Sequence, residues 1–185
     1  PRALVPLDPV RLRVPARLPI ALRRGDGDEL VAHLGILGLL LGEDVRARIN
    51  VLSEVPGEWK QHLARWKRFN RAKKRRIDDR WAPFDNDEYL LYQTLIGCWP
   101  LEQLDEKSLG VFRQRIQDYM LKAIREAKAH TSWLNPNEEY EEAMHYFVEA
   151  LLNDPERNPF LTDFLPFQKR LARFGLLNSL SQTLL

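Results

Sequence analysis

A short polar segment between two predicted helices gathers side chains whose types could hold a sugar. Residues 130–137 read His-Thr-Ser-Trp-Leu-Asn-Pro-Asn, which combines an imidazole, two hydroxyls, an indole and amides. A ligand rich in hydroxyl groups needs several hydrogen-bond partners and an aromatic face for its ring. The same residues also suit a capping loop, in which Asn135 caps the next helix, Pro136 begins it and Trp133 packs against the turn. Both interpretations stay open on residue chemistry alone.

A second candidate is the run of cations between Lys67 and Arg76, which follows Trp66 and contains Phe69. Such a stripe could bind a phosphate backbone or an acidic partner. It could equally be the solvated face of an amphipathic helix whose apolar side includes Trp59 and Leu63. Because 28 Lys and Arg oppose 26 Asp and Glu, the net charge is only +2, which favours the solvated face and predicts no nucleic-acid partner.

The other reactive residue types show no spacing that points to catalysis or to a metal. Paired acids at 138–142 lie where a helix is predicted to begin, and the helix dipole accounts for them. The four histidines lack the His-Glu-x-x-His spacing of zinc sites, so we expect no metal and no cofactor. The single cysteine, Cys98, excludes an internal disulfide and is expected to be a buried, inert thiol.

Composition and hydropathy predict a cytoplasmic protein with no membrane partner. The chain is 44% hydrophobic and 29% charged, which is enough apolar material for a core. Its longest apolar run, Leu34 to Leu41, is about half of what a bilayer crossing needs. The first residues are rich in proline and arginine and lack the apolar region of a secretory signal.

Helical periodicity begins near Glu43. Residues 1–42 hold five of the 12 prolines, five of the nine glycines and no aromatic residue, so we expect an irregular leader there. From residue 43 onward the apolar spacing predicts an all-α fold without strands. The first helix is predicted over about 43–52, a second begins at Pro56 and ends before a turn at 78–83, and a third begins at a capping Asp85. The longest helix is predicted over about 108–128. Three more are predicted to begin at Pro136, at Asn158 (ending near Pro166) and at Phe167.

Several blocks of this helical region, in order, resemble maltooligosyltrehalose synthase, the (1→4)-α-D-glucan 1-α-D-glucosylmutase of the α-amylase superfamily. The resemblance covers about residues 43–185. The blocks are Glu43–Glu54, Asp85–Gly97 with Trp99–Glu102, Arg125–Glu141 and Ala172–Leu185.

The resemblance implies a fold and a reaction. Enzymes of that family have a catalytic (β/α)₈ barrel, and residues 43–185 resemble a helical subdomain excised from it. They convert the reducing-end α-1,4 bond of a maltooligosaccharide into an α,α-1,1 bond by intramolecular transglucosylation, an isomerase reaction of trehalose biosynthesis. The retaining chemistry uses an aspartate nucleophile and a glutamate acid/base. The expected substrate is a maltooligosaccharide, and the expected pathway partner is maltooligosyltrehalose trehalohydrolase.

The sequence departs from that family where the chemistry should be. Counting back from Glu43 and Asp44 places the third catalytic aspartate of the family at Gly38, and nothing in residues 1–42 resembles a barrel. We therefore expect no catalytic residue in this chain and no activity of the chain alone. We interpret residues 1–42 as an out-of-frame or misassembled leader outside the family sequence. Because Leu184 and Leu185 follow no helix stop signal, we expect a fragment.

Residue chemistry placed on the resemblance predicts a set of side chains that face the sugar in the intact enzyme. The alternative is a non-catalytic helical module that binds nucleic acid or an acidic partner through the 67–76 stripe; a third possibility is a structural helical domain without a ligand. The predicted substrate-binding residues are Arg46, Lys128, His130, Ser132, Trp133 and Asn135.

Overall fold

The computed structural model describes residues 43–155 and 157–183. The predicted leader over residues 1–42, with Gly38 at the expected catalytic position, lies outside the described residues. So do Leu184 and Leu185.

The described part of the chain is mostly helical, as the periodicity predicts, but it also contains a short β-hairpin. A 3₁₀ turn over Val51–Glu54 follows the first helix, and another over Arg71–Lys73 follows the second. None of the described helices is both long enough and apolar enough to traverse a bilayer. The elements are α1 (Glu43–Asn50), α2 (Pro56–Asn70), β1 (Arg75–Ile77), β2 (Arg80–Ala82), α3 (Asp85–Cys98), α4 (Glu106–Ala127), α5 (Glu138–Leu151) and α6 (Pro159–Thr183).

The hairpin corrects the prediction that no strands are present. β1 and β2 pair antiparallel, with Arg76 opposite Trp81. The turn is made by Asp78 and Asp79, whose φ angles of 44° and 63° are left-handed. Aspartate tolerates this conformation better than most residues, and two such residues in a row are typical of a tight hairpin turn. The strands are three residues each, too short to show a two-residue period in the sequence.

Helix α6 corrects a second prediction, because it continues through Pro166. A proline in a helix interior removes one N–H donor and crowds the preceding turn. Here Phe164 and Phe167, on either side of it, are 0% and 3% exposed, so packing against the core holds both halves of the helix. With 25 residues, α6 rather than the 22-residue α4 is the longest described helix.

The core is built around Trp66, which is fully buried. Its ring meets Tyr92 of α3 and Phe160 and Phe164 of α6 edge-on or tilted, with centroids 5.3–5.5 Å apart. Such geometries add to the free energy of burial. Helix α4 contributes an apolar stripe of five buried residues to this core: Leu109, Phe112, Ile116, Met120 and Ala123.

Two glycines allow α1 to lie close against its neighbours. A Cβ at Gly97 of α3 would approach Val45 Cγ1 to 2.5 Å, and one at Gly175 of α6 would approach the Arg48 Cα to 2.9 Å. Arg48 then closes the end of α3 by donating to the carbonyl oxygens of Gly97 and Trp99 at 3.1 and 2.8 Å. These contacts fix α1 against α3 and α6.

Candidate functional site

The loop over residues 128–137, which we call the Trp133 loop, joins α4 to α5. It begins at Lys128, an exposed residue whose φ of 57° is left-handed and ends α4. Within the loop, Ser132 N donates to Asn135 O at 3.2 Å, and Asn135 N donates to Ser132 Oγ at 3.0 Å. This reciprocal pair holds the tip of the loop in a closed turn.

A buried threonine and an ion pair attach the Trp133 loop to α5. Arg125 Nε and Nη2 donate to the two carboxylate oxygens of Glu141 at 2.8 and 2.6 Å. Thr131 Oγ1 donates to Glu141 Oε1 at 2.6 Å and accepts from Asn137 N at 2.9 Å. Chiefly because of the Arg125 hydrogen bond, the pKa of Glu141 lies below its ordinary value. The loop is therefore held by charge-assisted hydrogen bonds.

The N-cap of α5 is two residues later than predicted. The helix begins at Glu138, and Asn137 Oδ1 accepts from Tyr140 N at 3.1 Å, so Asn137 and not Asn135 is the N-cap. Pro136 precedes the helix instead of beginning it. The error arises because both asparagines suit a cap. In the structure the Asn137 amide donates to Thr131 Oγ1 while its side chain caps the helix. Asn135 is exposed and is free of the capping role.

Five of the six predicted sugar-facing residues lie in the Trp133 loop: Lys128, His130, Ser132, Trp133 and Asn135. Trp133 is 56% exposed, and the Arg125 guanidinium lies 4.8 Å from its ring centre. His130 is half-buried between the rings of Phe84 and Tyr140, with centroids 4.4 and 5.1 Å away. Arg46 is exposed on α1, an element that packs on α3 and α6, so the structure places it on a different element from the loop.

A cleft of about 460 Å³ lies beside the loop and shares Phe84 with it. We call it the Arg80 cleft. The Arg80 guanidinium lies 3.9 Å from the centre of the Phe84 ring, and Trp81 beside it is 47% exposed. The sequence predicts only a turn at residues 78–83, so this site was not predicted. The available signal was Trp81 next to Arg80, with Phe84 four residues after Arg80. Its lining residues are Lys67, Arg71, Lys74, Arg80, Trp81, Phe84, Asp85 and Glu88.

The basic run at 67–76 is not one solvated helical face, because α2 ends at Asn70 and the later cations lie on the 3₁₀ turn and β1. Lys67 pairs with Asp85 at 3.2 Å. Lys73 donates to Asn158 Oδ1 at 3.3 Å, and burial lowers its pKa to about 8. Several of these cations are thus engaged within the protein, which weakens a nucleic-acid interpretation of the run.

Two acids in the first turn of α3, Asp87 and Glu88, are buried in the core, whereas Asp85 is exposed. The predicted cap at Asp85 is wrong, since the helix begins at Asp85 without a side-chain cap. Glu88 is 1% exposed; it pairs with Lys74 at 2.7 Å and accepts from Tyr92 Oη at 2.8 Å. Asp87 likewise accepts from the Tyr140 hydroxyl. Burial, reinforced by these carboxylates, raises the pKa of both tyrosines. Their hydroxyls therefore stay protonated and donate hydrogen bonds to the buried acids.

An aspartate and a histidine lie together between α2 and α6, in an arrangement that resembles a catalytic acid–histidine pair. We call it the Asp163 cluster. Asp163 Oδ2 accepts from Trp66 Nε1 at 2.8 Å and lies 2.7 Å from His62 Nδ1, while Arg65 Nη2 lies 3.1 Å from Oδ1. The His62 ring stacks on Phe167 with centroids 4.0 Å apart. Burial raises the pKa of Asp163, but the hydrogen bonds and the Arg65 charge outweigh it, so this pKa lies below 3.8. The carboxylate is already occupied by protein donors, which favours a structural role.

Cys98 and possible metal ligands are the other reactive groups of the described residues. Cys98 is half-buried, and burial raises the pKa of its thiol to about 12. Because the thiolate is the reactive form, this agrees with the predicted inert thiol. Among the described residues, no three His, Cys, Asp or Glu side chains are arranged to hold a metal ion.

Comparison with known proteins reveals one consistent likeness. No protein-family model matches the chain. A curated relative from Mycobacterium tuberculosis (strain CDC 1551 / Oshkosh), a putative maltooligosyl trehalose synthase, is 38% identical over 114 residues, which are 62% of this chain and 13% of the relative. The same figures hold for its counterpart in strain ATCC 25618 / H37Rv. The chain therefore spans about an eighth of the length of the curated relatives that it matches.

Solved structures agree with that likeness. A hypothetical maltooligosyl trehalose synthase from Sulfolobus tokodaii is 34% identical with a TM-score of 0.56, over 71% of this chain and 16% of the other. A second maltooligosyl trehalose synthase is 34% identical with a TM-score of 0.59, over 75% and 17%. The DSM5389 glycosyltrehalose synthase is 38% identical with a TM-score of 0.57, over 75% and 16%. The resemblance predicted from the sequence is confirmed, and it is a resemblance to one segment of those proteins.

Proposed function

We propose that this chain is a segment of a maltooligosyltrehalose synthase, the helical part that accompanies a catalytic (β/α)₈ barrel. The whole enzyme would turn the reducing-end α-1,4 bond of a maltooligosaccharide into an α,α-1,1 bond by intramolecular transglucosylation, in the cytoplasm. The identity of 34–38% to proteins of that name supports the proposal. A trehalose-releasing hydrolase, maltooligosyltrehalose trehalohydrolase, would use the product.

Within that enzyme, the Trp133 loop would contact the glucan. The observation that carries this assignment is the exposure of Trp133, whose ring is 56% exposed on a loop fixed by Arg125 and Glu141. A fixed, exposed indole offers a flat surface to the C–H face of a pyranose. Lys128, Ser132 and Asn135 would supply hydrogen bonds to hydroxyl groups, and the half-buried His130 would position the loop against Phe84.

The chain alone would lack the chemistry, because no catalytic carboxylate of the family can be assigned to its residues. Incubating the purified 185-residue chain with maltopentaose and separating the products by chromatography tests this claim. We expect unchanged maltopentaose. A product with a trehalosyl end would overturn the claim of inactivity.

The role of the loop is tested separately by binding. We expect maltopentaose to alter the tryptophan fluorescence of the chain, with a dissociation constant in the millimolar range that corresponds to about −4 kcal/mol. Trp133→Ala should abolish that response because it removes the stacking surface. Leu134→Ala is the matched control, since Leu134 is the neighbouring residue and is 97% exposed. Equal binding by both variants would contradict the assignment of Trp133.

The coding DNA upstream of the Glu43 codon gives an independent test of the whole assignment. We expect another reading frame there to encode the third catalytic aspartate of the family and a barrel. An open frame that encodes residues 1–42 and begins at its own start codon would instead mean that these helices are used without the reaction.

A further inference from the structure

The Arg80 cleft contains more positive charge than its own carboxylates neutralise. Four cations and two carboxylates line it. Lys74 pairs with the buried Glu88 at 2.7 Å and also donates to the Pro83 carbonyl at 2.8 Å. Lys67 pairs with Asp85 at the rim at 3.2 Å. Each carboxylate in the cleft is thus matched by a lysine.

Two arginines remain. No carboxylate oxygen in the described part of the chain lies within salt-bridge distance of the Arg71 or Arg80 guanidinium. Arg71 is exposed on the 3₁₀ turn that follows α2, and the Arg80 guanidinium lies 3.9 Å from the centre of the Phe84 ring. A guanidinium beside an aromatic ring still offers its N–H donors to an anion. Two guanidinium groups that line one concave site attract an anion, and phosphate matches their donor geometry best.

An exposed tryptophan adds a second element of recognition. Trp81 follows Arg80 on β2, lines the same cleft and is 47% exposed. A large indole in water contributes to stability only weakly, but it can cover the apolar face of a sugar ring. The cleft, at about 460 Å³, has the size range of sites that hold small molecules.

We propose that the Arg80 cleft binds a phosphate monoester of a sugar, with the phosphate on Arg71 and Arg80 and the pyranose ring on Trp81. This site is separate from the Trp133 loop and its neutral glucan, and it does not depend on the proposed glucosylmutase function. The described residues that line the cleft include no group placed to cleave a phosphate ester. The ligand would therefore bind without reacting, as an effector or a carried metabolite.

Isothermal titration calorimetry of the full chain with glucose 1-phosphate, inorganic phosphate and glucose tests the proposal. We expect glucose 1-phosphate to bind more tightly than inorganic phosphate, and glucose not to bind at about 10 mM. Arg71→Gln and Arg80→Gln should each weaken glucose 1-phosphate binding about tenfold, because each removes a charge-assisted contact. Trp81→Ala should reduce the affinity to that of inorganic phosphate.

Arg68→Gln is the matched control, since Arg68 is an exposed cation of α2 outside the cleft. It should change the affinity less than about twofold, as expected for a screened charge at a distance. Circular dichroism spectra identical to that of the parent chain would show that the variants fold. An equal loss in Arg68→Gln, an unaffected Trp81→Ala variant, or tighter binding of glucose than of glucose 1-phosphate would each overturn the proposal. The maltopentaose test of Trp133 is unaffected by any of these results.

Discussion

The Asp163 cluster and the Arg80 cleft contain the same residue types but use them differently. Each combines arginine, tryptophan and a carboxylate beside a second aromatic ring. In the cluster, one carboxylate accepts from Trp66 and His62 and pairs with Arg65, so the donors are consumed within the protein. In the cleft, Trp81 is 47% exposed, and Arg80 lies beside an aromatic ring with no carboxylate of residues 43–155 or 157–183 within salt-bridge distance.

The difference shows how to distinguish a structural polar group from a binding group. A side chain whose hydrogen-bonding capacity is filled by neighbours stabilises the fold, and removing it leaves the neighbours unsatisfied. A side chain fixed by its apolar body, with its donors facing water, adds little stability and remains available to a ligand. Substitutions in the two regions should therefore separate stability from binding.

The largest expected effect is at the Asp163 cluster. Asp163→Ala should lower the free energy of unfolding by about 3 kcal/mol, because it leaves the Trp66 and His62 donors and the Arg65 charge without their acceptor. Urea unfolding followed by circular dichroism measures this loss. Asp163→Asn, which keeps one acceptor, should lose less. A loss below that of the exposed control Glu149→Gln would contradict the structural role.

The Trp133 loop should show an intermediate effect. Glu141→Ala should lower the free energy of unfolding by about 2 kcal/mol, since it removes the acceptor shared by Arg125 and Thr131. Because the loop would then lose its attachment to α5, hydrogen exchange at the amide of Asn137 should accelerate. Glu142→Ala is the control on the exposed side of the same helix turn. Unchanged exchange in Glu141→Ala would mean that the ion pair does not hold the loop.

The pH dependence of stability should follow from the same carboxylate. The folded pKa of Asp163 lies below its ordinary value of 3.8, so its contribution is present above that value and is lost as the pH falls through the folded pKa. His62 and Arg65, the charged or titratable groups that face it, hold the carboxylate in its ionised form. Unfolding curves at pH 7 and at successively lower pH should therefore show a steeper acid loss in the parent chain than in Asp163→Asn. Parallel losses in the two proteins would contradict this linkage.

The smallest stability effect is expected in the cleft. Arg80→Gln and Trp81→Ala should each change the free energy of unfolding by no more than about 0.5 kcal/mol, as is usual for exposed side chains. The same urea curves measure it. A loss near that of Asp163→Ala would show that the cleft residues hold the hairpin and would remove the contrast between the two regions.

The sequence predicts the local features of this molecule well. The spacing of Trp59 and Trp66 on α2 and the stripe of α4 place these side chains in the core, where the structure has them buried. The composition of residues 130–137 is sufficient to identify the loop as a candidate site. These features depend on helical periodicity and on neighbouring residues, which are visible in the chain itself.

The errors concern features that depend on contacts distant in the chain. The Arg80 cleft exists because β2 pairs with β1 and because the start of α3 returns beside the end of α2. An acid three residues after the predicted cap Asp85 would ordinarily face solvent, whereas Lys74 and Tyr92 enclose Glu88. Pro166 looks like a helix end until the core contacts of Phe164 and Phe167 are known. In each case tertiary packing outweighs a local preference.

The left-handed residue at the end of α4 places thermal stability and sugar binding in conflict. Lys128 adopts a φ of 57°, where glycine would avoid a cost of about 1 kcal/mol. A variant library sorted only for thermal tolerance should therefore enrich Lys128→Gly. That substitution would also remove the amine that is proposed to bind the glucan. The sequence with the highest thermal stability and the sequence with the tightest sugar binding should therefore differ at this residue.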